Sequence, residues 1–201
     1  MGNDLSADPP EIWVARHGET EWSRTGRHTG RTDVPLTATG RREAVALGRA
    51  LGGRRFALVL SSPLSRAWET CRLAGYADVE ERTDDLLEWD YGAVEGRTSA
   101  EMRREQPGWT IWTGGVPLGE TIESVAARAG KVIDRAIAAE GDVLLFAHGH
   151  VLRVLTARWL GLEPSNGRLF ALGTAAMGML GDENGARVIR AWNVSSVPSH
   201  F

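Results

Sequence analysis

Three short apolar runs in this chain stop abruptly, each at a polar cluster. Ile12-Trp13-Val14-Ala15 ends at Arg16-His17-Gly18, Phe56 to Leu60 ends at Ser61-Ser62-Pro63, and Val143-Leu144-Leu145-Phe146-Ala147 ends at His148-Gly149-His150. Continuous apolar runs of this length read as strands buried on both faces, and so as parallel strands covered by helices. Helical patterns separate them. Thr37 is an N-cap for a helix with Ala44, Leu47, Ala50 and Leu51 along one stripe, and Gly52-Gly53 stops it. A second helix runs from about Leu64 to Leu73. The clearest runs from Thr121 to Ala139, with Ile122, Val125, Ala126, Ala129, Val132, Ile133, Ala136 and Ile137 at helical spacing. A helix from about Val151 to Leu160 follows the third run. Strand and helix in alternation predict an α/β fold, a three-layer α/β/α sandwich around a mostly parallel sheet.

Weaker signals fill the gaps. Tyr76 to Glu80 reads as a short third strand, and residues 84–120 as a largely irregular lid or insertion with a short helix near Ser99 to Arg104. Leu169 to Leu172, Ala175 to Leu180 and Arg187 to Val194 read as closing strands, the last two a hairpin around Gly181 to Gly185. Residues 1–10 read as a flexible leader to a single domain over 11–201. No apolar run reaches the 18 or more residues of a membrane span, and the first residues lack the basic-then-apolar pattern of a signal peptide. Cys71 is the single cysteine. An internal disulfide and a cysteine metal cluster are therefore excluded, and a cytoplasmic setting with no membrane partner is expected.

The chemistry should sit where the apolar runs end, because ligands of open α/β sheets bind beyond the carboxyl ends of parallel strands. The chain has 23 Lys+Arg against 26 Asp+Glu, a formal charge of −3, and no basic stripe for nucleic acid. Lys131 is the single lysine. His17 and His148, joined by Arg16 and Arg66, make a local anion site inside this net acidic chain. A metal held by His17, His148 and His150 is the rival reading, but Arg16 and Arg66 would repel a dication and no Asp cluster supports one. No GxxxxGK[ST] or GxGxxG segment follows a strand. No metal or other cofactor is expected.

The segment Arg16-His17-Gly18-Glu19-Thr20 resembles the RHG signature of the histidine phosphatase superfamily, also called phosphoglycerate mutase-like. The resemblance continues through Trp22, His28-Thr29-Gly30-Arg31-Thr32-Asp33, Leu36 to Gly40, Ser61 to Ala67, Glu88-Trp89-Asp90-Tyr91-Gly92 with Glu95-Gly96, and Ala147 to His150. It covers nearly the whole chain after residue 10, in the family's order. It implies that His17 is the nucleophile that forms a phosphohistidine, with a backbone carbonyl on its other ring nitrogen. Arg16 and Arg66 are the implied clamp on the phosphoryl oxygens. His148 is the second histidine, donating to the phosphoryl group. Glu88 is the implied general acid and base, in a closed apolar cleft. Thr29, Gly30, Arg24, Gly149 and His150 are the expected substrate-binding residues.

The family contains hydrolases and mutases, and some relatives only bind or regulate. The interval from Glu88 to His148 has no lysine in the region matching the mutases' lysine and carries Gly114-Gly115-Val116-Pro117-Leu118-Gly119-Glu120-Thr121, which resembles a GGxxxGE(S/T) stretch of the small phosphatase branch. The pattern is close to the small actinobacterial acid phosphatases and the sugar-bisphosphatases. Metal-independent hydrolysis of a small phosphorylated metabolite is favoured over phosphoryl transfer between carbon positions. Trp109 and Trp112 either stack on substrate or pack the lid. The chain's size suits a homodimer, though no sequence feature marks an interface.

Overall fold

The computed structural model describes residues 10–195; the expected leader, Pro10 apart, lies outside the described residues. The elements are β1 (Ile12–Arg16), α1 (Glu21–Arg24), α2 (Ala38–Leu51), β2 (Leu58–Ser61), α3 (Ser65–Leu73), β3 (Glu80–Arg82), α4 (Ser99–Glu105), α5 (Ile122–Ile137), β4 (Val143–Ala147), α6 (Gly149–Trp159), β5 (Ala176–Glu183) and β6 (Ala186–Ser195). Short 3₁₀ turns occupy Asp84–Leu86, Gly92–Val94 and Pro164–Leu169. The strands form one six-stranded sheet in the order β3-β2-β4-β1-β5-β6. β1 to β4 run parallel, and the hairpin β5–β6 adds an antiparallel margin beside β1. The sheet is thus mixed, with its parallel part where the apolar runs lie.

Alternation along the central strands creates two cores, one per face. Val143, Leu145 and Ala147 of β4, with Ile12 and Val14 of β1, pack with Val125, Ala129 and Val132 of α5 and Leu152 and Leu155 of α6. Leu144 and Phe146 of β4 and Ala15 of β1 face the other way, onto Leu47 and Leu51 of α2 and Cys71 of α3. Full burial of each larger aliphatic side chain contributes about 1.5–3 kcal/mol. Thr37 caps α2 as expected, accepting from the Gly40 amide at 3.0 Å. Among the described residues, no helix is long and apolar enough to cross a membrane.

Two expectations need correction. Leu169 to Leu172 is not a strand. Leu169 ends the Pro164–Leu169 turn, and side chains take carbonyls in and beside the segment: Arg153 takes Gly167 and Arg168, Trp192 takes Ala171, and Arg16 takes Leu172. Side-chain donors do here what a neighbouring strand would do in a ladder. The third strand falls at Glu80–Arg82, later than expected, because Gly75 and the residues after it turn before pairing with β2 starts at Val59 and Glu80. One boundary matters for the site. α6 starts at Gly149, two residues earlier than the sequence suggests, with His148 as its extended N-cap (φ −125°, ψ 171°).

Candidate active site

His17 sits one residue past β1 and is pinned through its backbone. Its amide donates to the Ala147 carbonyl of β4 at 3.0 Å, and its carbonyl accepts from the Ala175 amide at 3.0 Å. The next residue must be small. A Cβ on Gly18 would lie 2.3 Å from the Gly40 carbonyl oxygen, so two glycines let this loop rest on the first turn of α2. The His17 ring is buried, and Nδ1 lies 2.7 Å from the Gly18 carbonyl oxygen. A carbonyl only accepts, so Nδ1 carries the proton and Nε2 keeps its lone pair. Burial, then the Arg66 and Arg16 charges, hold the ring's pKa well below the ordinary histidine range. The ring is neutral at neutral pH.

His148 lies beside it, with ring centroids 5.2 Å apart. Arg66 Nε donates to His148 Nδ1 at 3.1 Å, which places the His148 proton on Nε2, 2.8 Å from Ser62 Oγ. Arg66 comes from the first turn of α3 and is fully buried. Its Nη1 donates to the Thr32 carbonyl at 2.9 Å, and its Nη2 to those of Thr29 and Gly30 at 3.1 and 2.9 Å. Glu95 holds the same loop by its amides, accepting from Gly30 and Thr32. A Cβ on Gly30 would stand 2.5 Å from the Trp89 carbonyl oxygen, so this tight seat admits only glycine. Arg66 and His148 therefore brace the site next to His17 and do not form its wall.

The wall belongs to a cavity of about 170 Å³ that exposes Arg16, His17, Thr29, Glu88, Gly149 and His150. Arg16 Nη1 donates to the Leu172 carbonyl at 2.6 Å, while its Nε is buried with no hydrogen-bond partner among the described residues. The Arg16 guanidinium as a whole is one of the groups lining the cavity beside His17. Gly149 lies flat against this guanidinium, where a Cβ would stand 3.4 Å from Arg16 Cζ. Thr29 Oγ1 donates to the Arg27 carbonyl at 3.1 Å.

Glu88 is buried, and its surroundings are not the apolar cleft expected. Its carboxylate accepts from the amides of Trp89 (2.9 Å), His150 (3.0 Å) and Val151 (2.9 Å), the last two in the first turn of α6. The earlier start of α6 thus creates the seat of Glu88. The segment carrying Glu88 is fixed from behind by α5. Arg128 donates to the carbonyls of Asp85 and Leu87 and pairs with both carboxylate oxygens of Glu120, at 2.8 and 3.0 Å.

His28 and Tyr91, both in segments that carry the family resemblance, also line the cavity, as do Arg27, Arg153 and Leu172, which were not singled out from sequence. The phase of α6 was the available signal for Arg153, which lies three residues beyond His150. Tyr91 OH and His150 Nδ1 are 2.6 Å apart. Burial lowers the pKa of His28 to about 4 and holds His150 well below its ordinary value, where the Arg153 charge adds to the effect. Arg24, expected at the mouth, is not among the lining residues. It pairs with Glu21 at 2.7 Å on the solvent side of α1, three residues apart. Trp109 packs buried against His28, and Trp112 packs against Trp89 and His150, so both close the lid and neither lines this cavity. Among the described residues, no group of three or more His, Cys, Asp or Glu side chains is placed to hold a metal ion.

The model of the histidine phosphatase superfamily (branch 1) matches residues 12–195. An acid phosphatase of Mycobacterium tuberculosis is 41% identical over 191 residues, covering 93% of this chain and 94% of that protein. The sedoheptulose 1,7-bisphosphatase of Saccharomyces cerevisiae is 34% identical over 186 residues, covering 76% and 68%. The solved structure of the Rv3214 reading frame product from Mycobacterium tuberculosis superposes with a TM-score of 0.89 at 39% identity, covering 94% of this chain and 99% of that one.

Proposed function

This chain belongs to the histidine phosphatase superfamily, branch 1, and from that membership we propose that it hydrolyses phosphomonoesters of small metabolites through a phosphohistidine on His17. Its activity as a phosphatase-like hydrolase of small phosphorylated metabolites follows from the family; the steps are our reading. One observation carries them. His17 Nδ1 is committed to the Gly18 carbonyl, so Nε2 keeps its lone pair, and His17 shares a cavity with the Arg16 guanidinium and the Glu88 carboxylate.

In this reading Nε2 of His17 attacks phosphorus and the ester P–O bond breaks. Glu88 gives its proton to the departing alkoxide. Water then attacks the phosphohistidine, losing its proton to Glu88, and the N–P bond breaks to release phosphate and restore the neutral ring. Arg16 offers guanidinium N–H donors to a phosphoryl oxygen, opposing the charge that spreads over those oxygens in the transition state. Arg66 adds its buried charge and fixes His148 and the Thr29–Thr32 loop. A nucleophile whose pKa lies well below the ordinary range stays unprotonated in mild acid, which suits the acid phosphatase among the relatives.

The test is phosphate release from a panel of sugar phosphates, sugar bisphosphates and 3-phosphoglycerate with EDTA present. Release that persists with EDTA and disappears in His17→Ala is expected. Conversion of 3-phosphoglycerate to its 2-isomer with little phosphate release would make the enzyme a mutase. Loss of release on adding EDTA would overturn the metal-free scheme.

A further inference from the structure

Arg16 and His17 are each held by a backbone group of the segment before β5. Arg16 Nη1 donates to the Leu172 carbonyl at 2.6 Å, and the Ala175 amide donates to the His17 carbonyl at 3.0 Å. Residues 170–173 belong to no helix and no strand, so side chains fix their backbone. On one flank Glu43 of α2 accepts from the Glu19 amide at 2.8 Å and lies 3.5 Å from Thr174 Oγ1. The closer ties come from the outer strand of the hairpin. Trp192 Nε1 donates to the Ala171 carbonyl at 2.6 Å, and Asn193 Oδ1 accepts from the Gly173 amide at 2.8 Å. Leu172, whose carbonyl receives Arg16, thus stands between two residues that β6 grips. Neither Trp192 nor Asn193 is among the residues lining the His17 cavity.

An irregularity in the hairpin makes this grip possible. β5 and β6 pair Met177 with Val194 and Met179 with Ala191. Gly178 on β5 is therefore faced by two residues on β6, Trp192 and Asn193. Such a bulge re-aims side chains away from the ordinary alternation. The Trp192 ring lies over Gly178, where a Cβ would stand 2.5 Å from Trp192 Cε3, and it meets the Phe170 ring edge-on with centroids 6.0 Å apart. Asn193 takes φ +54°, a left-handed conformation that asparagine tolerates better than most side chains. Ala175, at the other end of the tie, has φ +47°. Left-handed backbone at residues other than glycine costs energy and persists where the surroundings over-determine it.

We propose that Trp192 and Asn193 are positioning residues for the phosphoryl site: from the outer strand of the sheet they set the Ala171–Gly173 backbone, and its Leu172 carbonyl aims the Arg16 guanidinium at the phosphoryl group beside His17. This rests on the hydrolase reading above and deepens it. The donors of a guanidinium form a rigid planar fork, so the one taken by Leu172 decides where the others point. A shift of that carbonyl turns the whole fork. Charge developing in the transition state depends on this aim more than ground-state binding does. Loosening the tie should therefore lower kcat more than it raises KM.

The test removes each hydrogen bond with little change in packing. Trp192→Phe keeps a ring over Gly178 and loses the Nε1–H donor. Asn193→Gly keeps the left-handed backbone and loses the acceptor, and Asn193→Asp keeps an acceptor. Steady-state rates are measured well below the melting temperature of each variant. Calorimetry adds the affinities for orthovanadate, which adopts the trigonal-bipyramidal shape of the transferring group, and for inorganic phosphate. Trp192→Phe with Asn193→Gly should lower kcat about tenfold or more and change KM less than about threefold. Vanadate affinity should fall by a similar factor, and phosphate affinity by less. Asn193→Asp should keep most of the rate that Asn193→Gly loses. Arg190→Gln removes the donor to the Asp182 carbonyl from the same strand, and should leave kcat within about twofold. Wild-type kcat and vanadate affinity in the double variant overturn the proposal. So does an equal loss of kcat in Arg190→Gln, since β6 would then serve stability alone. If the double variant does not fold, the two single variants carry the same comparison. If the wild type releases no phosphate from any phosphomonoester, the hydrolase reading fails, and vanadate affinity in the double variant still decides the proposal. A wild type that binds neither anion overturns both.

Discussion

The strand ends and the irregular rim build this site in different ways. His17, Arg16 and His148 stand at the ends of β1 and β4, two parallel strands paired in register from Ile12 with Val143 to Arg16 with Ala147. Backbone hydrogen bonds to Ala147 and Ala175 fix His17 from both sides. The rim is made of residues 27–33, 85–112 and 164–172, where strand ladders are absent and side chains satisfy the backbone. Arg66, Glu95, Arg128 and Arg153 do there what a sheet does elsewhere. The difference suggests a division of labour. The nucleophile and the arginine beside it belong to the sheet, with His148 bracing them, and groups that meet the rest of the substrate belong to the rim.

Substitutions at the strand ends should therefore cut turnover of every substrate alike. The largest effect is expected for His17→Ala, a loss of kcat on the order of 10³-fold or more with all phosphomonoesters. A fall limited to one substrate would break the comparison. Glu88 tests its boundary, since a rim segment carries it and α6 seats it. Glu88→Gln should cost ~10²–10⁴-fold with poor leaving groups, and much less with p-nitrophenyl phosphate, whose phenolate leaves without a proton. A uniform loss across leaving groups would argue against an acid role.

Arg128 tests whether the rim is held as described. Arg128→Met strands Glu120 and frees the Asp85 and Leu87 carbonyls, and should cost about 3 kcal/mol of stability. Thermal melting measures that cost, and kcat should fall as Glu88 loses its support. A variant with unchanged melting and unchanged kcat would show that the rim needs no such tie.

The smallest effect is a pH dependence. His28 has a folded pKa of about 4, below its ordinary value of about 6.5, so the unfolded chain binds more protons in between. Its contribution is complete above pH 6.5 and is lost as pH falls towards 4, at roughly 1 kcal/mol per pH unit. The melting temperature should fall over that window, and less steeply in His28→Gln. An equal slope in both would remove His28 from the account.

This contrast also explains what could be read from the sequence. The apolar runs of β1, β2 and β4 announced themselves, because a strand buried on both faces leaves no other composition. The residues ending β1 and β4 followed at once, and the family resemblance pointed to Glu88. The rest depended on contacts that no local pattern encodes. Nothing near Leu169 says that its neighbours' carbonyls will be taken by Arg153, Trp192 and Arg16 instead of a strand. Arg24 and Arg27 look alike in sequence, yet Arg24 pairs with Glu21 while Arg27 lines the cavity. The seat of Glu88 was hidden by the boundary of α6, since a His-Gly-His start conceals which residue is the cap.

The central claim is that His17 takes the phosphoryl group on Nε2 because Nδ1 is committed to the Gly18 carbonyl. Rapid alkaline quenching during turnover, with ³¹P NMR and peptide mass spectrometry of the trapped protein, tests it most directly. The account predicts a single phosphohistidine, on His17 and at Nε2. Phosphate on Nδ1, on another residue, or on no residue while turnover proceeds would contradict it.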